Sequence, residues 1–256
     1  MIREFIERHF SKNQRRKVRN FLSDLRALFI ISDLNKLARI YKTDKWGEHS
    51  YTPHYKTHLK KYRFKRINLL EIGVGGYEDP QAGGFSLRMW KKYFPFGKVY
   101  SLDIYDKSPL QERRIKIYKG SQVDTVLLDQ IVKDIGNIDI IIDDGSHINE
   151  HVITTFEFLF PKLKDGGVYV IEDTQTSYWE DFGGSSDLNA SKTMMNFFKT
   201  LSDCVNHVEF IKPGYQPTYY DQHILSIHLY HNLIFIHKGI NNEPSNKVIN
   251  NTTKRD

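Results

Sequence analysis

From residue 67 the chain alternates short, nearly continuous apolar runs with longer stretches whose apolar residues recur every three or four positions. Runs at 67–74, 98–105, 114–119, 138–143 and 167–172 read as strands, and 86–93, 121–135 and 149–163 read as the helices between them. Connections of that length cannot be tight hairpins, so the pattern predicts a parallel sheet covered by helices. "INLLEIGV", "IDIIID" and "GVYVIE" are nearly continuous apolar runs, as strands buried on both faces are. "VEFIK" (208–212) and "SIHLYHNLIFIHKG" (226–239) read as further strands, the latter an antiparallel hairpin turning at His231-Asn232. Residues 1–42 show helical spacing instead: Ile2, Phe5, Ile6, then Val18, Phe21, Leu22, Leu25, Leu28 and Phe29.

The expected fold is therefore α/β: a Rossmann-like, doubly wound, mostly parallel sheet with a terminal antiparallel hairpin, preceded by a short N-terminal helical segment. The expected organisation is a basic helical segment at 1–42, one domain at 43–240 and a polar, disordered tail at 241–256.

Composition narrows the class. Hydrophobic residues make up 39% and aromatics 13% of 256 residues, enough for a substantial core. No apolar run approaches the roughly 20 residues of a membrane span. "MIREFIERHF" carries charges among its apolar positions and does not read as a secretory signal. The single cysteine, Cys204, allows neither a disulfide framework nor a cysteine-based zinc site, and a cytoplasmic setting is expected. The net charge of +6 gathers in "KNQRRKVRNFLSDLR" (12–26) and in the tail. Such a stretch is ordinarily a solvated helix face. The chain has no compact nucleic-acid-binding motif, so nucleic acid is not an expected partner.

In open parallel sheets ligands bind beyond the carboxyl ends of the strands, so the chemistry should lie just after each apolar run. The first run ends in "LLEIGVGGYEDP". Gly73, Gly75 and Gly76 allow close backbone approach to a ligand, while Glu71 suits a cationic ligand better than a diphosphate. The second run ends at Asp103, placed to accept the hydroxyls of a ribose. After the third, Ser121, Gln122 and Asp124 can read an adenine edge, or one of them can cap the following helix. Glu71, Gly73, Gly75 and Asp103 together resemble the opening motifs of class I S-adenosylmethionine-dependent methyltransferases. That resemblance spans roughly residues 67–240 and implies that the glycine loop holds the methionine part and Asp103 the ribose.

The fourth run ends in "DDGSH" and the fifth in "IEDT". Adjacent strand residues point to opposite faces, so Asp143 is expected to face the cofactor and Asp144 the substrate cleft. Neighbouring strands would bring Asp144 close to Glu172 and Asp173. Three carboxylates in one cleft repel unless one is protonated or a cation lies between them. An all-oxygen donor set favours a hard ion such as Mg²⁺. A neutral His147 beside it could take a proton from a hydroxyl bound there.

This pair of segments is similar to metal-dependent sugar O-methyltransferases of macrolide tailoring, of the mycinamicin 2''-O-methyltransferase type. The resemblance implies that Asp144, Glu172 and Asp173 bind Mg²⁺ and that His147 is the general base. It also implies, through "YKTDKWGEHSY", that Thr43 or Asp44 closes over the cofactor. The implied activity is methyl transfer from S-adenosyl-L-methionine to a sugar hydroxyl of a glycan, nucleotide sugar or glycosylated natural product. Two alternatives use related chemistry: a catechol-type O-methyltransferase, and a metal-dependent oxygenase of the cephalosporin-hydroxylase-like type. A homo-oligomer is expected. The basic N-terminus is read as a contact for a membrane surface or a partner enzyme. "TSYWEDFGGSS" (176–186) reads as a mobile lid, and "PGYQPTYYDQH" (213–223) as a wall of the substrate cleft.

Overall fold

The computed structural model describes residues 11–30, 32–249 and 252–253. The helical spacing expected for Ile2, Phe5 and Ile6 lies outside them. The chain forms two compact units, 1–131 and 132–256.

The first unit opens with helices α1 (Lys12–Arg26), α2 (Leu34–Tyr41) and α3 (Thr52–Leu59). Ser11 and Gln14 form a capping box on α1, and Asp33 caps α2. There follow β1 (Asn68–Ile72), α4 (Phe85–Tyr93), β2 (Lys98–Asp103) and β3 (Ile115–Lys119), with α5 (Thr125–Ile135) closing the unit. The strands are parallel in the order β3-β2-β1. Their apolar side chains are buried, as expected of strands covered on both faces. Trp90 and Phe94 of the α4 segment pack with Tyr55 and Tyr93 in an aromatic core. Arg114 holds a left-handed φ of 69°. Its guanidinium donates to the carbonyls of Lys91, Phe94 and Gly97, which satisfies the carboxyl end of α4.

The second unit holds β4 (Ile138–Asp143), α6 (Asn149–Leu159), β5 (Leu163–Glu172), α7 (Met194–Thr200), α8 (Tyr219–His223), β6 (Ile224–Tyr230) and β7 (Leu233–Lys238). Their order is β4-β5-β7-β6, with β4 and β5 parallel and β7 antiparallel to both β5 and β6. The hairpin turns at His231-Asn232 as expected, Asn232 supplying a φ of 59°. The mostly parallel α/β organisation with a terminal antiparallel hairpin is thus the one observed.

Three local expectations change. Helix α6 stops at Leu159 rather than 163 because Pro161 cannot donate the next helical hydrogen bond, and β5 begins at Leu163. "VEFIK" is not a strand: Asp203–Glu209 forms a 3-10 turn and the chain beyond it is irregular. Ile211 is 89% exposed and Pro213 follows, so the segment has no apolar face to bury. The tail is tied down over its first residues. The Asn241 amide donates to the carbonyls of Cys204, Val205 and Asp221. Ser245 and Asn246 bond Glu209, and β8 (Val248–Ile249) pairs with β9 (Thr252–Thr253).

Asp221 anchors the 213–223 segment from a buried position. It accepts from the Tyr215 hydroxyl at 2.6 Å and from the backbone and hydroxyl of Thr218 at 2.6 and 2.8 Å. Burial pushes its carboxyl up, but these donors outweigh that and hold it below the ordinary carboxylate range. Its folded-state pKa being depressed, the stability it contributes is present at neutral pH and lost as pH falls through that range. Asp221→Asn is expected to cost about 2 kcal/mol at neutral pH. In urea titrations the gap between variant and parent should narrow on acidification; a gap that widens would contradict the assignment.

Candidate functional site

The loop after β1 is built by backbone constraints. Gly73 N–H donates to the Leu102 carbonyl at 2.8 Å, so the strand's end stays registered on β2. Gly75 has a φ of 75° and open space where a side chain would begin, which leaves a cradle facing its backbone. A side chain at Gly83 would instead collide with the Gly75 carbonyl. Asp103, at the end of β2, accepts from Val74 N–H and Tyr105 N–H, both at 2.9 Å, one on each carboxylate oxygen. The second lone pair of each oxygen is the one available to a ligand. Glu71 is fully buried, with the equally buried ammonium of Lys45 at 3.3 Å. The cation beside this acid in the structure is thus Lys45 of "YKTDKWGEHSY", a partner the sequence does not point to.

Thr43 is buried, and its hydroxyl donates to the Asp44 carboxylate at 3.2 Å. After β3, Asp124 is the cap: its carboxylate accepts from Leu127 N–H at 3.0 Å. Ser121 closes a local turn onto Val123 N–H, and Gln122 is buried.

In the second unit the parallel register pairs Asp143 with Ile171. One step further sets Asp144 beside Glu172, and a carboxylate oxygen of each lies within 4.8 Å of the other. A strand's side chains alternate, so Asp143 occupies the opposite face, where it is buried and lies 3.5 Å from the Tyr169 hydroxyl. Burial and the Asp143 carboxylate push that phenol well above its usual range. Tyr169 packs edge-on against Phe156 of α6, so Asp143 sits on the helix-covered side of β4.

Asp144, His147 and Asp173 converge as well, one ligand atom of each within 4.8 Å of the others. The His147 Nε2 lies 3.7 Å from an Asp173 oxygen and 4.0 Å from an Asp144 oxygen. Asp144 is thus common to two groupings, one with Glu172 and one with Asp173 and His147. The three expected metal ligands and the expected base all belong to the second unit, with Asp144 as the residue the two groupings share.

Two of these residues are held in an unusual backbone state. His147 and Asp173 have φ values of 56° and 54°. Left-handed residues other than glycine carry strain on the order of 1–3 kcal/mol unless their surroundings enforce them. The buried Thr176 hydroxyl lies 2.8 Å from the His147 carbonyl and 3.2 Å from the Asp173 carbonyl, so one side chain ties both turns together. Asn149, also buried, donates to the carbonyls of Thr176 and Phe182 and accepts from Met194 N–H at 2.7 Å. Sequence reasoning missed Thr176 and Asn149, since a lone Thr or Asn has no distinguishing spacing. The same bonds fasten the 176–186 segment, which the sequence suggested as a lid. Gly184 packs against the Thr176 carbonyl and Trp179, while the Tyr178 and Trp179 rings are half exposed. His151 bonds Ser146, His223 stacks on Tyr219, and His228 bonds Ser226.

No family model matches the chain. It is 50% identical over 214 residues to demethylmacrocin O-methyltransferase of Streptomyces fradiae, which covers 82% of this chain and 54% of that protein. It is 49% identical over 214 residues to mycinamicin VI 2''-O-methyltransferase of Micromonospora griseorubida, with the same two coverages. Among solved structures, MycE methyltransferase of the mycinamycin biosynthetic pathway, in complex with Mg, SAH and mycinamycin VI, matches with a TM-score of 0.80 and 48% identity. That match covers 83% of this chain and 55% of MycE, and over it the two share one fold. The chain spans about half the length of the curated relatives it matches.

Proposed function

We infer, from the similarity of this chain to demethylmacrocin, mycinamicin VI 2''- and rhamnosyl tetracenomycin-C 2'-O-methyltransferases, that it transfers a methyl group from S-adenosyl-L-methionine to a sugar hydroxyl with Mg²⁺ bound. The observation that carries this reading is the position of Asp144, which lies close to Glu172 on one side and to Asp173 and His147 on the other. The donor set fits the ion: clustered carboxylate oxygens on a partly exposed face suit a hard divalent cation and need one to offset their repulsion. It fits an oxygenase iron site less well, because that triad takes two histidines and one carboxylate. Asp144, Glu172 and Asp173 would hold Mg²⁺, which when bound supplies positive charge that makes a coordinated sugar hydroxyl more acidic. The first unit fits the cofactor, with the open backbone at Gly75 and the ordered carboxylate of Asp103 placed beyond adjacent parallel strands.

The chain's own residues then have separable tasks. His147 accepts the hydroxyl proton at Nε2, where it lies between the Asp144 and Asp173 carboxylates. The sugar oxygen forms its bond to the methyl carbon as the carbon–sulfur bond breaks, and the sulfur keeps the electron pair. Thr176 and Asn149 keep His147 and Asp173 in place, and correct placement supplies much of the rate in such a transfer. The half-exposed rings of Tyr178 and Trp179, a few residues beyond Asp173, suit the apolar face of a sugar or its aglycone. The acceptor class is a glycan, nucleotide sugar or glycosylated natural product, and the working setting is cytoplasmic. Among the described residues no helix is long and apolar enough to cross a membrane.

Transfer of labelled methyl to a panel of nucleotide sugars, free glycans and glycosylated polyketides tests the reading, with a catechol as control. Transfer to at least one sugar, abolished by EDTA and restored by Mg²⁺, is the expected result. Transfer to the catechol alone, or transfer indifferent to EDTA, would replace it.

A further inference from the structure

Helix α1 is mounted with its polar face inward. The Lys12 ammonium is paired with Asp79, and the Arg16 guanidinium donates to the Pro109 carbonyl at 2.7 Å. Ser23 Oγ donates to the Ile40 carbonyl at 3.3 Å. Asp24 takes the Arg88 guanidinium at 2.8 Å and the Tyr41 hydroxyl at 2.7 Å. Tyr41 and Arg88 are buried beneath these contacts, and Ala27, just past the helix's carboxyl end, is buried with them. The apolar stripe faces the other way. Val18, Phe21, Leu22 and Leu25 recur at one-turn spacing, and Leu28 and Phe29 continue them past the helix end. No residue of α1 is buried. Phe21 is 67%, Leu25 51% and Phe29 95% exposed. Surface helices of globular domains present the opposite arrangement, so this stripe is made to meet something.

Charge identifies what. On the helical wheel Arg15 and Arg26 flank the stripe on one side and Lys17 on the other, the positions from which long cationic side chains reach past an apolar face. Beside the stripe lies a groove of about 370 Å³ lined by Phe21, Leu25, Leu28 and Lys92 among others. A symmetric contact with a second copy would set these cations against themselves. The one acid between residues 11 and 30, Asp24, is already engaged by Arg88 and Tyr41. An anionic lipid surface meets both features at once, taking the apolar stripe at the acyl boundary and the flanking cations at the phosphates.

We propose that α1 docks the protein on the surface of a bilayer containing anionic lipid, lying in its plane without crossing it. Flotation of the full chain with phosphatidylcholine vesicles, with and without phosphatidylglycerol, tests this. Binding is expected only with the anionic lipid and should weaken with added salt. Phe21→Ser with Leu25→Ser should abolish it. Lys17→Gln with Arg26→Gln should weaken it about thirtyfold, taking each cation near the surface at its usual contribution. These side chains are exposed, so thermal melting of the variants should match the parent. Failure to bind anionic vesicles would overturn the proposal. So would light scattering that shows a stable dimer dispersed by Phe21→Ser with Leu25→Ser, because the stripe would then be an interface between copies.

Discussion

Asp144→Ala is expected to abolish metal-dependent methyl transfer and to lower Mg²⁺ affinity by more than about a hundredfold, beyond what loss of an outer-sphere partner costs. The reason is position. Asp144 belongs to both acid groupings, with Glu172 on the neighbouring strand and with Asp173 and His147 across the turn. Removing it leaves the two remaining carboxylates without the group they share. The same substitution should leave the metal-free protein as stable as before, or more so, because the side chain is partly exposed and its loss relieves repulsion among carboxylates. Two measurements separate a binding defect from a folding defect. Calorimetry with Mg²⁺ should lose its heat, and the rise in melting temperature that Mg²⁺ gives the parent should vanish while the metal-free melting temperature holds. A variant that still binds Mg²⁺ as the parent does would remove Asp144 from the centre.

His147 carries the second large effect. In its proposed role as general base it should account for about 10²–10⁴-fold in turnover. Alanine is a poor test, since the backbone at His147 is left-handed and a β-carbon without polar compensation is strained there. Asparagine tolerates that conformation and cannot serve as a base, so His147→Asn isolates the chemistry. Turnover should fall by that factor with S-adenosylmethionine affinity unchanged. Full turnover in His147→Asn would mean that the proton leaves by another route.

Much of this site is readable in the residue order because it follows from strand periodicity. An apolar run ending in two acids places one on each face of a sheet, and two such runs in parallel bring like-numbered positions together. That argument alone sets Asp144 beside Glu172, and the observed register of Asp143 with Ile171 is the same geometry. The position of the glycine loop and of Asp103 is readable for a similar reason, since both lie just past the ends of adjacent parallel strands. The partners of those residues are a different matter. Lys45 reaches Glu71 from 26 residues away in the chain, and Thr176 reaches back 29 residues to His147. Neither pairing has a period or a spacing that a sequence displays.

The N-terminal helix shows the division most clearly. Its apolar and basic residues, in their repeat, are enough to establish that an amphipathic helix forms, because periodicity is a local property of the backbone. Which face turns toward the domain depends on Asp79, Arg88, Pro109 and Tyr41, which are distant in the chain and meet α1 only after folding. Element type and the order of chemistry along the sheet thus reside in the linear pattern. The direction in which each element faces, and the partner that holds each charge, arise from long-range packing, where energies between distant residues outweigh local preference.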